Sequence, residues 1–128
     1  EGQVWEAMMF AHHYKLDNLC VVIDNNGLQI DGPVDQVMSP YPIADKLKAF
    51  GLECVEIDGH DFDALEAAFA QARAVKGTPF AIVMKTTKGK GVGYMENQVG
   101  WHGKAPNDEQ AEAALKELGA ELARLEAM

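Results

Sequence analysis

Asn25-Asn26-Gly27 is the first segment of this chain whose side chains could do chemistry. A carboxamide oxygen is a hard ligand suited to Mg²⁺ or Ca²⁺, and a loop can add a backbone carbonyl two residues further on. Asn26 and the carbonyl of Leu28 would make such a pair. Taken alone, an Asn-Gly pair is equally the mark of an ordinary turn. The second candidate is His102, in Gly100-Trp101-His102-Gly103. An imidazole shuttles protons near neutral pH, and flanking glycines let a ligand come close. A lone loop histidine also reads as a surface residue. The run Lys88-Gly89-Lys90-Gly91-Val92-Gly93 could cradle an anion, but it lacks Walker spacing and the strand–turn–helix setting of a dinucleotide site. His12 and His13 have no carboxylate or thiol at ligand spacing and read as packing or surface residues. His60 reads as turn chemistry, and Met8–Met9 as core filler.

These residues need elements to position them. Trp5, Met8, Met9, His12 and Leu16 recur at spacings of three and four, which predicts a helix with one buried face. Leu19 to Ile23 predicts a strand buried on both sides, and Asn25 to Gly27 the loop at its carboxyl end. Ligands of open α/β sheets bind beyond such strand ends. Pro42 suits a helix's first turn and Gly51 its cap. Glu53 to Ile57 predicts a second strand. Asp63 with Glu66, or Asp61, would cap a helix with the stripe Leu65, Ala68, Phe69 and Ala72. Phe80 to Met84 predicts the third strand. Strands and helices alternating through short connections imply a parallel, right-handed α/β fold with helices on both faces. Residues 85–107 predict a long loop, functional or disordered. A final helix follows, capped by Asn107 and Gln110, with Leu115, Leu118, Leu122 and Leu125 as its stripe.

Composition narrows the partners. A formal net charge of −9 with no Lys/Arg block argues against nucleic acid, because an acidic surface repels phosphate backbones. No apolar run approaches membrane-spanning length, and no export signal is visible. Cys20 and Cys54 each lie in an apolar run without CxxC spacing, so reduced thiols and a cytoplasmic setting are expected.

Set in order, these segments resemble the thiamine-diphosphate motif of the transketolase family. The resemblance rests on Glu1-Gly2-Gln3-Val4-Trp5-Glu6-Ala7, on Asp24 to Gly32, on Asp58-Gly59-His60-Asp61, on the Lys-Gly-Lys-Gly run, and on Trp101-His102-Gly103-Lys104-Ala105-Pro106. It covers essentially the whole chain and is similar above all to the N-terminal subunit of split, two-polypeptide transketolases, judged mainly from Met95-Glu96-Asn97 and Trp101 to Asp108. It implies the parallel-sheet thiamine-diphosphate-binding fold, in part, with residues 1–128 as the C-terminal part of the diphosphate-binding domain. It implies a metal-ligating role for the Asn26 side chain and the Leu28 carbonyl, holding Mg²⁺ or Ca²⁺ against the cofactor's diphosphate. Ile30 matches an aliphatic residue near the thiazolium ring. His102 matches a histidine beside the reacting carbon. Glu1 matches a buried acidic residue near the subunit interface, counted with His102 in the catalytic set, with Glu6 a weaker candidate for the same network.

The implied reaction moves a two-carbon ketol unit from a ketose phosphate to an aldose phosphate, as in the pentose phosphate pathway. The implied partners are sugar phosphates and a C-terminal transketolase subunit or domain, in a dimer or other homo- or hetero-oligomer. The family motif opens with Gly-Asp-Gly, which would fall upstream of Glu1, and its activating glutamate comes from another domain. The 128 residues are therefore expected to be inactive alone. A 1-deoxyxylulose-5-phosphate synthase-like enzyme and a non-catalytic α/β interaction module are the alternatives.

Overall fold

The computed structural model describes all of residues 1–128, which divide into two compact units. The first comprises residues 1–26 and 39–86, the second residues 27–38 and 87–128.

The first unit is built on three parallel strands: β1 (Cys20–Asn25), β4 (Glu53–Asp58) and β5 (Phe80–Lys85), in the order β1-β5-β4. Side chains alternate across a strand, and central β5 uses both faces. Ala81 and Val83 join Met8 of α1 (Gly2–His13), Ala44 and Leu47 of α3 (Ile43–Ala49), and Leu52 in one core. Phe80 and Ile82 join Ala68 and Ala72 of α4 (Phe62–Ala74) in the other. Helices thus cover both faces, as the alternation of segments predicts. Ile82 and Val83 are essentially solvent-free, and burying such a side chain contributes about 1.5–3 kcal/mol.

Several details depart from the sequence pattern. Leu19–Ile23 reads as a strand buried on both sides, but β1 lies at an edge of this sheet and Val22 is 43% exposed. Met8 is buried as expected, whereas Met9, read as core filler, is 53% exposed. A helix of 3.6 residues per turn cannot turn two consecutive side chains onto one narrow face. Helix α1 ends at His13, so Leu16 packs beyond it, its N–H donating to the Ala11 carbonyl at 3.0 Å. Exposed His12 serves packing, its ring lying against Gly51. Pro42 occupies the cap position of α3 rather than its first turn. Asp61, not Asp63, caps α4, accepting from the N–H groups of Asp63 (2.9 Å) and Ala64 (3.1 Å). Cys20 and Cys54 are half-buried and unpaired.

The second unit opens with a small hairpin, β2 (Leu28–Gln29) against β3 (Gly32–Pro33), and the short helix α2 (Val34–Val37). It continues through a looped segment with a 3₁₀ turn at Val99–Trp101 and ends in α5 (Asp108–Glu126). The expected capping box is present: the Gln110 N–H donates to Asn107 Oδ1 (2.9 Å), and the Asn107 N–H to Gln110 Oε1 (3.0 Å). The leucine stripe of α5 is exposed. No helix of the chain is long and apolar enough to cross a membrane.

Candidate functional site

In the first unit, chemistry gathers at the carboxyl ends of the parallel strands. The register sets Asn25 and Asp58 on either side of Lys85, so the three strands finish level. The polar groups of this edge are tied to one another. The Thr86 hydroxyl donates to the Asp24 carboxylate, and the Tyr41 hydroxyl donates to Asn25 Oδ1 at 2.9 Å. The Lys46 ammonium holds the segment before α3 by donating to the carbonyls of Pro40 (2.7 Å) and Tyr41 (3.1 Å). On the far side, the Gly59 N–H donates to the Lys85 carbonyl at 2.9 Å, and the His60 N–H to Asp58 Oδ1 at 2.9 Å. Gly59 must lack a side chain here, because a Cβ would sit 2.9 Å from that of Met84. His60 is therefore part of a turn, as its sequence setting suggests.

Asn26 follows directly from this edge and is half-buried. Leu28, two residues on, opens the hairpin of the second unit opposite Pro33 and is also half-buried. Both candidate ligands present oxygen, the donor type that Mg²⁺ and Ca²⁺ prefer. Nowhere do three His, Cys, Asp or Glu residues gather into a metal-holding group. Carboxamide and carbonyl oxygens are thus the only donor types these two residues offer, and they suit a hard cation. Ile30 lies in the hairpin turn, 65% exposed.

His102 belongs to the second unit and is exposed, at the end of the Val99–Trp101 turn, its N–H donating to the Val99 carbonyl at 2.9 Å. The segment that carries it reads as one long loop in the sequence, yet it is a series of closed turns. The Asn97 N–H reaches back to the Lys88 carbonyl (3.0 Å), and the Met95 N–H to that of Val92 (2.8 Å). Carboxylates fasten the glycines: Glu96 accepts from the Gly91 N–H (3.0 Å) and Glu117 of α5 from that of Gly93 (2.8 Å). Val92 is buried, and Lys90 lies 3.9 Å from Glu96. The Lys-Gly run is thus organised by anionic side chains of its own unit. Next to His102, the Trp101 indole donates to the Tyr94 carbonyl (3.1 Å), and the Lys104 ammonium lies 4.8 Å over its ring.

Glu1 is the exposed cap residue of α1, where its carboxylate accepts a hydrogen bond from the Gln3 amide; Glu6 is also exposed. Sequence reasoning missed Tyr41, Thr86, Tyr94 and Glu117. Their partners lie 16 or more residues away, beyond any local pattern.

Residues 1–126 match the family described as transketolase, thiamine diphosphate binding domain. The chain is 39% identical to one of the subunits of the apulose-4-phosphate transketolase of Phocaeicola vulgatus, over 98% of this chain and 45% of that protein. It is 40% identical to the 6-deoxy-6-sulfo-D-fructose transketolase subunit SqwG of a Clostridium species, over 92% of this chain and 43% of that one. The solved transketolase of Campylobacter jejuni superposes with a TM-score of 0.86 at 32% identity, over 93% of this chain and 18% of that chain. The chain therefore spans less than half the length of these relatives.

Proposed function

From a chain that belongs to the transketolase family, as part of its thiamine diphosphate binding domain, we propose an enzyme that transfers a two-carbon ketol unit from a ketose phosphate to an aldose phosphate. The observation that carries this reading is the position of Asn26, immediately beyond the carboxyl end of the parallel strand β1, where ligands of open α/β sheets bind. In this reading the Asn26 side chain and the Leu28 carbonyl hold Mg²⁺ or Ca²⁺, which neutralises a diphosphate. Ile30 offers an apolar surface to the thiazolium. Thiamine diphosphate, when bound, supplies the electron sink for carbon–carbon cleavage. His102 holds a substrate hydroxyl by hydrogen bond and accepts or returns its proton, work suited to an imidazole near neutral pH. Glu1 joins an acidic network at an interface.

In this reading a second polypeptide or domain completes the substrate site, while diphosphate oxygens and water would fill the rest of the six-oxygen shell that Mg²⁺ takes. The relatives named as transketolase subunits support such a partner, and the assembled enzyme is taken to be an oligomer. The setting proposed is cytoplasmic, where thiols such as Cys20 and Cys54 stay reduced.

The test is a two-part reconstitution. This chain alone should show no turnover. The complete enzyme should act on xylulose 5-phosphate with ribose 5-phosphate, and not on pyruvate with glyceraldehyde 3-phosphate. In that enzyme His102→Ala should lower kcat/KM by about 10²- to 10⁴-fold, the range of a positioned acid–base group. Asn26→Ala should raise the Mg²⁺ concentration for half-activity by about tenfold or more, equivalent to ~1.4 kcal/mol of lost ligation. Undiminished activity in both variants would refute the reading.

A further inference from the structure

We propose that Tyr94 is a positioning residue for the reaction, acting through His102; the proposal rests on the reading of His102 as the proton-handling side chain. Tyr94 is half-buried, and three parts of it make three different attachments within the second unit. Its ring packs on Trp101, with centroids 5.2 Å apart and planes tilted by 56°. Its backbone carbonyl accepts the Trp101 indole N–H at 3.1 Å. Its hydroxyl donates to the Gln110 carbonyl at 2.8 Å, in the first turn of α5.

The consequence lies in the backbone. Trp101 immediately precedes His102, and its side chain is held twice by Tyr94. A tilted ring contact alone can slide; the added indole hydrogen bond fixes its rotation as well. The hydroxyl bond then ties this pair to α5, whose start is fixed by the Asn107–Gln110 capping box. Residues 102–106 are thereby suspended between two anchored ends, one at Trp101 and one at Asn107. A Gln110 carbonyl has two lone pairs, so it can accept the tyrosine hydroxyl without giving up its place in the helix. The flanking glycines Gly100 and Gly103 give the histidine's backbone freedom that something else must remove; the Tyr94–Trp101 pair removes it. Misplacement of a reacting group by about 1 Å can cost on the order of 10²-fold in rate.

The experiment uses the complete enzyme, with this chain and its complement, assayed for ketol transfer from xylulose 5-phosphate to ribose 5-phosphate. Four variants are compared: Tyr94→Phe, Trp101→Phe, His102→Ala, and Tyr94→Phe combined with His102→Ala. Tyr94→Phe keeps the ring and removes only the hydroxyl anchor. It should lower kcat by about fivefold, the scale of one net hydrogen bond, while KM changes by less than about twofold because no uniform substrate binding is lost. In the His102→Ala background the same substitution should cost nothing further, since the side chain it positions is gone. Trp101→Phe removes the indole donor from the other side and should reproduce the result; it also carries the test should Tyr94→Phe fail to fold. Undiminished kcat in Tyr94→Phe would overturn the proposal. So would an equal further loss in the His102→Ala background, which would leave the role of His102 standing. An active His102→Ala enzyme would instead remove the reading beneath the proposal, and the proposal with it.

Discussion

The two units reach order by different means. In the first, a central strand with apolar side chains on both faces organises everything: Phe80 to Val83 are buried, and helices close over each side. In the second, an almost unbroken series of polar attachments holds a glycine-rich segment. Val92 is buried, but Glu96, Glu117, Tyr94 and Trp101 each fasten backbone groups. Burial is non-directional, whereas hydrogen bonds are strongly angular. The first arrangement therefore suits a scaffold, and the second suits an exposed segment held at fixed angles, the one that carries His102.

Three perturbations sharpen or break this contrast. The largest effect is expected from Ile82→Ala, which opens a cavity at a solvent-free position of the central strand. It should destabilise the fold by about 2–5 kcal/mol, the usual cost of such truncation. Thermal unfolding of the complete enzyme measures this; a loss below about 1 kcal/mol would show that the sheet is not the organising element.

A smaller effect is expected from Gly89→Ala. Gly89 has a φ of +72°, and a Cβ there would lie 2.7 Å from the Met95 carbonyl oxygen. The substitution should cost more than about 1 kcal/mol, since alanine is both strained at that φ and obstructed. Hydrogen exchange should rise at Gly91, Gly93 and Asn97 while β5 amides stay protected. Exchange rising equally in both units would break the contrast.

The smallest effect concerns the cysteines of the first unit. Burial raises the pKa of both thiols, and Lys48 only partly opposes this at Cys54. A folded pKa above the unfolded value means that the neutral thiol is favoured by folding. That contribution is complete below the unfolded thiol's pKa and is lost as pH rises through the folded one. Alkylation of Cys20 and Cys54 should accordingly be slow at neutral pH, with a rate profile that inflects above that of a free thiol. Labelling as fast as free cysteine at about pH 7.5, roughly one unit below the ordinary thiol pKa, would contradict it.

The scaffold was largely legible in the residue pattern, and the reasons are local. Phe80–Met84 is a short apolar run between Gly77–Pro79 and polar Lys85, and the Asn107/Gln110 pair signs a helix start that the structure contains. The misreadings arose where a choice depended on neighbours distant in sequence. Leu19–Ile23 looks central, but only the pairing order reveals β1 as an edge strand. Asp61 and Asp63 are both plausible caps on paper, and it is Asp61, with its extended backbone, whose carboxylate meets the first N–H groups of α4.

For the candidate site the division is similar. Residue types alone brought forward Asn26, Leu28 and His102, because an oxygen-donor pair and an imidazole between glycines have chemistry that does not depend on the fold. The same types gave no reason to notice Tyr41, Thr86 or Tyr94, since a hydroxyl acquires a role only from the partner that folding brings to it. Sequence by itself determined the alternation of strands and helices and the helix cap at Asn107, and it put forward the candidate groups, all by periodicity and by chemistry within a few residues. Only the tertiary structure decided that Asp24 and Asn25 are tied off by Thr86 and Tyr41, and that the loop before His102 is fastened to α5 through Tyr94. Those contacts join residues far apart in the chain, and their angular demands are met only once the packed elements have fixed both ends.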